Sequence, residues 1–161
     1  MKHFINIKDV PYKTLRKILS ETKKRKDLRK KLKTLEIDKD IPLKGILLIQ
    51  MFEKSSLRTR LSFYLAIRQL GGSALTLRPD ELHLSKGGES LSDTAKILST
   101  YGDIFVLRTD NEKKLNSFKK FLSIPLINGL SPNSHPAQIL SDIFTICLLY
   151  TSDAADESRG V

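Results

Sequence analysis

The sequence has 161 residues, of which 28 are Lys or Arg and 18 are Asp or Glu, for a formal net charge of +10. That length predicts one domain with a real core, and 40% hydrophobic with 29% charged residues is globular rather than disordered composition. No apolar run reaches the roughly 18 residues of a membrane span, and a single cysteine, Cys147, excludes an intramolecular disulfide framework and a Cys-rich zinc site.

The N-terminus, MKHFINIKDV, lacks the unbroken apolar stretch of a secretory signal, so a cytoplasmic, reducing compartment is expected. Asp9 followed by Pro11 reads as a helix entry, with Asp9 the cap candidate, and predicts a helix over 11–32. Residues 13–33 hold 11 Lys or Arg against Glu21 and Asp27, so this one segment carries +9 of the +10. Such a run can mark nucleic-acid or anionic-membrane binding. The plainer reading is a solvated helix face opposite an apolar stripe of Tyr12, Leu15, Leu19, Leu28, Leu32 and Leu35 at spacings of three or four. No aromatic platform accompanies the run, and no nucleic-acid or membrane partner is expected.

After Pro42 and Gly45, ILLIQMF has the length and composition of a strand. LRTRLSFYLAIRQL, from Leu57, reads as a helix whose apolar residues nearly encircle it, which predicts burial. Gly71-Gly72 stops it, and SALTL is a second strand. Residues 78–89 are polar, contain Gly87-Gly88, and are expected to form a mobile loop. Ser90 or Ser92 caps a helix running to about Tyr101, with Gly102 its stop. DIFVLR is the third strand, NEKKLNSFKKFL an amphipathic helix, and IPLIN the fourth strand, closed by Gly129. SPNSHP is a turn-rich loop, and Pro136 heads a last helix, AQILSDIFTI.

Strands alternate with helices four times, the pattern of an α/β domain with a four-stranded parallel sheet flanked by helices. Ligands in such sheets bind beyond the carboxyl ends of the strands, so the polar residues that follow strands are the candidates. After the first strand, Ser56 and Thr59 offer hydroxyls and Arg58 a planar fork at a helix start, where unpaired N–H groups and the helix dipole favour an anion. The segment lacks the glycines and Lys-Ser/Thr pair of a Walker loop. After the third strand, Arg108 can reach the same anion or polarise a carbonyl. After the fourth, His135 can donate to a developing oxyanion and Gln138 offers both a donor and an acceptor. Each residue alone is most often structural or solvated. Three sets on three strand ends point to one site.

Four stretches carry a family resemblance: FEKSSLRTRLSF, GGESLSDTAKIL, Arg108 in VLRT, and INGLSPNSHPAQILSDIFT. In order and spacing they resemble the carbamoyl-phosphate domain of the aspartate/ornithine carbamoyltransferase family, over roughly residues 2–146. The resemblance implies that Ser56, the Leu57 N–H, Arg58 and Thr59 hold the phosphate. Arg108 would bridge phosphate and carbonyl oxygen, and His135 with Thr59 would stabilise the oxyanion. His135-Pro136-Ala137-Gln138 would be the family's carbamoyl-binding motif, with Gln138 on the carbamoyl NH₂. It further implies transfer to the δ-amine of ornithine in arginine metabolism, no metal or redox cofactor, and a homotrimer with sites at subunit boundaries. Lys54 and the NGLS segment favour the ornithine branch. Leu57, where the family usually has Thr or Gly, is reminiscent of enzymes acting on N-acylornithine, and Lys86-Gly87-Gly88-Glu89-Ser90 is close to a loop of the aspartate branch. His83 and Lys86 are the loop residues this comparison singles out.

The family's amino-acid domain, with its SMG and HCLP segments, has no counterpart here. Residues 1–146 are therefore expected to be the carbamoyl-phosphate domain of a truncated chain, itself inactive in transfer. Residues 147–161, CLLYTSDAADESRGV, are expected to be an irregular tail of foreign or divergent origin, with Cys147 outside the active site.

Overall fold

The computed structural model describes residues 3–80 and 90–157. Strands β1 (Leu47–Phe52), β2 (Ser73–Leu77), β3 (Ile104–Arg108) and β4 (Leu126–Leu130) form one all-parallel sheet in the order β2-β1-β3-β4. The helices are α1 (Tyr12–Leu28), α2 (Leu57–Gln69), α3 (Leu91–Tyr101), α4 (Glu112–Phe121) and α5 (Pro136–Glu157). This is the α/β architecture that the alternation of strands and helices predicts. None of the described helices is long and apolar enough to cross a membrane.

The central strands read as mostly apolar runs, interrupted in β1 by Gln50, because both faces of the sheet are covered. On one face Ile49, Met51, Phe105, Leu107 and Leu126 meet Ala95 and Leu98 of α3 and Leu115 and Phe118 of α4. The Phe105 and Phe118 rings lie 5.3 Å apart, tilted at 55°. On the other face Leu48 and Val106 meet Ile67 of α2, with Phe63 and Ile127 packed alongside. Glycine stops two helices for different reasons. Gly71 takes φ 92°, open to few other residues, and a Cβ there would stand 2.2 Å from Ile41 Cγ2. Gly102 keeps an extended backbone, but a Cβ would press on Ile49 Cδ1 at 2.6 Å.

Several expectations need correction. Asp9 does not cap α1. It ends a short 3-10 turn, Ile7–Asp9, whose own cap is Asn6, and α1 starts from Pro11 with no side-chain cap. The α1 stripe packs only in part: Leu15, Leu19 and Leu32 are half-buried, whereas Tyr12, Leu28 and Leu35 are exposed. Part of the basic run is structural rather than merely solvated. Arg25 pairs with Glu21 (2.9 Å), Asp38 (2.8 Å) and Asp40 (2.8 Å), and Arg29 also pairs with Asp38, which is buried. Helix α2 is not buried: Ile67 is its one buried residue, and Leu57, Leu61 and Tyr64 are exposed, because the sheet covers a single side of it.

Gly129 lies inside β4 rather than closing it; the strand runs on to Leu130 after a register shift against β3 at Leu107/Arg108. Helix α5 does not stop at Ile146 but reaches Glu157. Phe4, which no sequence pattern marks as a strand, bridges Ile127 in parallel at the outer side of β4. The loop expected over 78–89, with His83 and Lys86, lies mostly outside the described residues.

Candidate active site

Strand order fixes where the site sits. The chain leaves β1 toward β2 and leaves β3 toward β4, so the loops after β1 and β3 part and open a crevice between them. Phe52, Arg108 and Leu130 stand in register across the sheet, so the loops after β1, β3 and β4 all depart at one level.

The first loop leads into α2 through Ser56. At α3 and α4 the cap residues do the ordinary thing: Ser90 accepts from the Asp93 N–H and Asn111 from the Lys114 N–H. Ser56 holds the cap position of α2, with extended backbone, but makes no side-chain cap bond. Its Oγ instead accepts from Arg108 Nη1 at 2.9 Å. The same nitrogen lies 3.5 Å from Thr59 Oγ1. The guanidinium from β3 is thereby held by the Ser56 hydroxyl, with that of Thr59 nearby in the first turn of α2, at the positive end of that helix.

Arg58 and Thr59 line a cavity of about 360 Å³ together with Ser62, Phe63, His135, Ala137 and Gln138. Arg108 lines a neighbouring hollow of about 310 Å³ with Lys54, Thr109, Asp110, Leu130, Ser131 and Pro132. Leu57, exposed, lines a third hollow with Ser55, Ser56, Arg60 and Pro79. Arg108 is the link: it lines one hollow and bonds residues that line the other two. The volumes suit a small ligand. Lys54 is turned to an exposed ion pair with Asp110 at 2.9 Å, whose carboxyl the lysine holds below the usual range.

His135 is half-buried, and its imidazole is held below the usual histidine value. Burial is the main cause, the Arg108 charge the second, and Asp142 opposes them. Its Nδ1 is buried with no hydrogen-bond partner among the described residues. Pro136, buried, is the first residue of α5, where a missing N–H costs nothing. Gln138 is exposed at the cavity, and its Nε2 donates to Asp142 Oδ1 at 2.8 Å. The structure therefore brings Ser56, Arg58, Thr59, Arg108, His135 and Gln138 to one end of the sheet. Leu57 and Pro136 sit beside them, as first residues of helices.

Sequence reasoning missed two supports of this site. Glu53 accepts from Thr109 Oγ1 through Oε2 and pairs with Lys114 through Oε1, while its N–H donates to the Arg108 carbonyl at 3.0 Å. It ties the end of β1 to the end of β3 and to α4. Asn128, fully buried in β4, shares its two Nδ2 hydrogens among the Ser134 carbonyl, Ser131 Oγ and the Ile5 carbonyl, each at 3.1 Å, and accepts from the Leu130 N–H at 3.0 Å. An Asn in an otherwise apolar strand was the available signal.

A sequence model of the aspartate/ornithine carbamoyltransferase carbamoyl-phosphate-binding domain matches residues 2–147. An ornithine carbamoyltransferase of Caulobacter vibrioides is 40% identical over 145 residues, which are 90% of this chain and 46% of that protein. The anabolic ornithine carbamoyltransferase of Campylobacter jejuni superposes with a TM-score of 0.78 at 35% identity, over 93% of this chain and 46% of that one. The catalytic subunit of M. jannaschii aspartate transcarbamoylase does so with a TM-score of 0.79 at 35% identity, over 94% and 48%. The chain spans less than half the length of the curated relatives it matches.

Proposed function

The chain belongs to the aspartate/ornithine carbamoyltransferase family, and on that premise we propose that its strand-end crevice binds carbamoyl phosphate and activates it for transfer to the δ-amine of ornithine. The observation that carries this reading is the Arg108 bond to Ser56, with Thr59 Oγ1 3.5 Å from the same nitrogen, beside a cavity that Thr59 shares with Arg58, His135 and Gln138. A dianion with an acyl carbon needs this set: donors for phosphate at one end and donors for a developing oxyanion at the other.

In the proposed reaction the amine lone pair attacks the carbamoyl carbon and forms a C–N bond, and the carbonyl oxygen becomes an oxyanion. The oxyanion then re-forms the carbonyl as the C–O bond to phosphate breaks, and the departing phosphate takes the amine proton, leaving citrulline. The Leu57 N–H, Ser56, Arg58 and Thr59 hold the phosphate. Arg108 spans phosphate and carbonyl oxygen. His135 and Thr59 face the oxyanion, and the Gln138 side-chain carbonyl accepts from the carbamoyl NH₂. Such preorganised donors lower the barrier by stabilising charge as it forms, and losing one commonly costs about 10²–10³ in rate.

Further parts of the proposal rest on family membership. They are a place in arginine metabolism, a homotrimer, a cytoplasmic setting, and residues 1–146 as the carbamoyl-phosphate unit. Leu57 and the likeness to an aspartate transcarbamoylase subunit make the acceptor the part most open to test. Assay of the full-length gene product with ornithine, N-acylornithine and aspartate is expected to give turnover with ornithine. Turnover with another acceptor alone would move the protein to that branch. Calorimetry of this chain is expected to lose carbamoyl-phosphate binding in Arg58→Gly with the fold intact; unchanged binding would refute the phosphate site.

A further inference from the structure

Asn128 lines none of the three hollows, but it bonds Leu130 and Ser131 of one of them; it is fully buried, with Nδ2 within reach of three acceptors and Oδ1 accepting from one donor. We infer that Asn128 is a positioning residue: a buried amide clamp that orients the His135 imidazole at the carbamoyl end of the site. The inference rests on the carbamoyl-phosphate reading for its functional meaning, and on geometry alone for the clamp.

The geometry runs through one peptide plane. The Ser134 carbonyl belongs to the same rigid unit as the His135 N–H. That carbonyl accepts from Asn128 Nδ2 at 3.1 Å and from the Ser131 N–H at 2.9 Å, and two donors from different directions fix the plane. The carbonyl of His135 itself accepts from the Ile139 N–H at 3.1 Å. Both peptide planes that flank the His135 Cα are therefore anchored, and its side chain keeps only its own two torsions. The other contacts of Asn128 brace the clamp. Ser131 Oγ is held at 3.1 Å, the Ile5 carbonyl ties in the N-terminal segment, and the Leu130 N–H is held at a residue with φ 139°. The bonded members of this buried network hold one arrangement, although Ser134 Oγ beside them has no partner among the described residues. The imidazole it presents is packed tightly enough for Nδ1 to be buried. Arg108 and Asp142 are the charged groups whose fields act on it.

The test compares two ligands on this chain. Inorganic phosphate needs only the phosphate donors, whereas carbamoyl phosphate also needs the groups facing its acyl carbon. Asn128→Leu removes the clamp without adding charge. It is expected to weaken carbamoyl phosphate by about tenfold or more while phosphate affinity stays within about threefold, the loss expected of a misplaced polar contact. The His135 imidazole is expected to titrate closer to the usual histidine value, followed by NMR and assigned with His135→Gln. Leu115→Ala, a core change among α3, α4 and the sheet, is the control for general destabilisation and is expected to keep both properties. Asn128→Leu that keeps both the ligand preference and the titration overturns the clamp.

Two further arms separate the possible failures. If the unaltered chain does not prefer carbamoyl phosphate over phosphate, the functional reading fails, and the His135 titration alone decides the clamp. If Asn128→Leu does not fold, exchange of the Asn128 side-chain amide protons in the unaltered chain decides. Protection of about 100-fold or more over a solvated amide supports the clamp, and exchange at the solvated rate overturns it.

Discussion

Arg108→Met separates a binding role for the guanidinium from a structural one. In this structure the side chain makes one good hydrogen bond, to Ser56 Oγ at 2.9 Å, and a second contact to Thr59 at 3.5 Å that is too long to contribute much. Removing it frees Ser56 to turn back and cap α2, a role worth about 1 kcal/mol, which offsets most of the lost bond. Net stability should therefore change by about 1 kcal/mol or less. Binding should change far more. A guanidinium on a phosphate is a charge-assisted contact worth about 1.5–3 kcal/mol, which corresponds to an affinity for carbamoyl phosphate about 10- to 150-fold weaker. The same substitution removes the charge that is the second cause of the low His135 value, while burial, the first cause, remains. The imidazole should therefore titrate higher than in the unaltered chain yet still below an ordinary histidine. Calorimetry, thermal unfolding and NMR titration read the three effects. Unaltered affinity with a large loss of stability would refute the reasoning, because it would make Arg108 a strut rather than a ligand.

Two other outcomes are expected from the geometry of His135 and Gly71. The folded value of His135 lies below its unfolded value, so its contribution to stability is whole above about pH 6.5 and is lost as the pH falls through the folded value. His135→Gln should accordingly narrow the stability difference between about pH 7.5 and about pH 5, which span the histidine range; an unchanged difference in denaturant midpoints would contradict this. Gly71→Ala places a Cβ at φ 92° and against Ile41, and should cost about 2 kcal/mol in denaturant unfolding. A neutral result would show that the α2–β2 turn relaxes freely.

Strand positions were legible because parallel strands covered on both faces must be short and mostly apolar, as ILLIQMF (broken only by Gln50) and the IFVL of the third strand are. The site was legible to the extent that topology dictates it: polar residues after β1, β3 and β4 had to meet once the strands were parallel and in register. What escaped depends on partners remote in sequence. Glu53 finds Lys114, 61 positions away, and Asn128 finds Ile5, 123 positions away. No local pattern encodes either bond. Burial of α2 was misread for a related reason. Apolar residues surround that helix, but periodicity reports composition on each face and not how many faces the sheet covers. Asp9 failed as a cap because Asn6, three residues earlier, starts a turn of its own and leaves Pro11 at the head of α1. Ser56 shows the converse: it has a cap residue's chemistry and position, but Arg108 claims its hydroxyl.

The central claim is that one small dianion meets three strand ends at once. Titrating this chain with carbamoyl phosphate while following backbone amide shifts tests that most directly. The account expects the changes to gather at residues 56–59, at Arg108 and at 135–138, saturating with a single affinity. Changes confined to the lysines and arginines of 13–33, with those three strand ends silent, would contradict it.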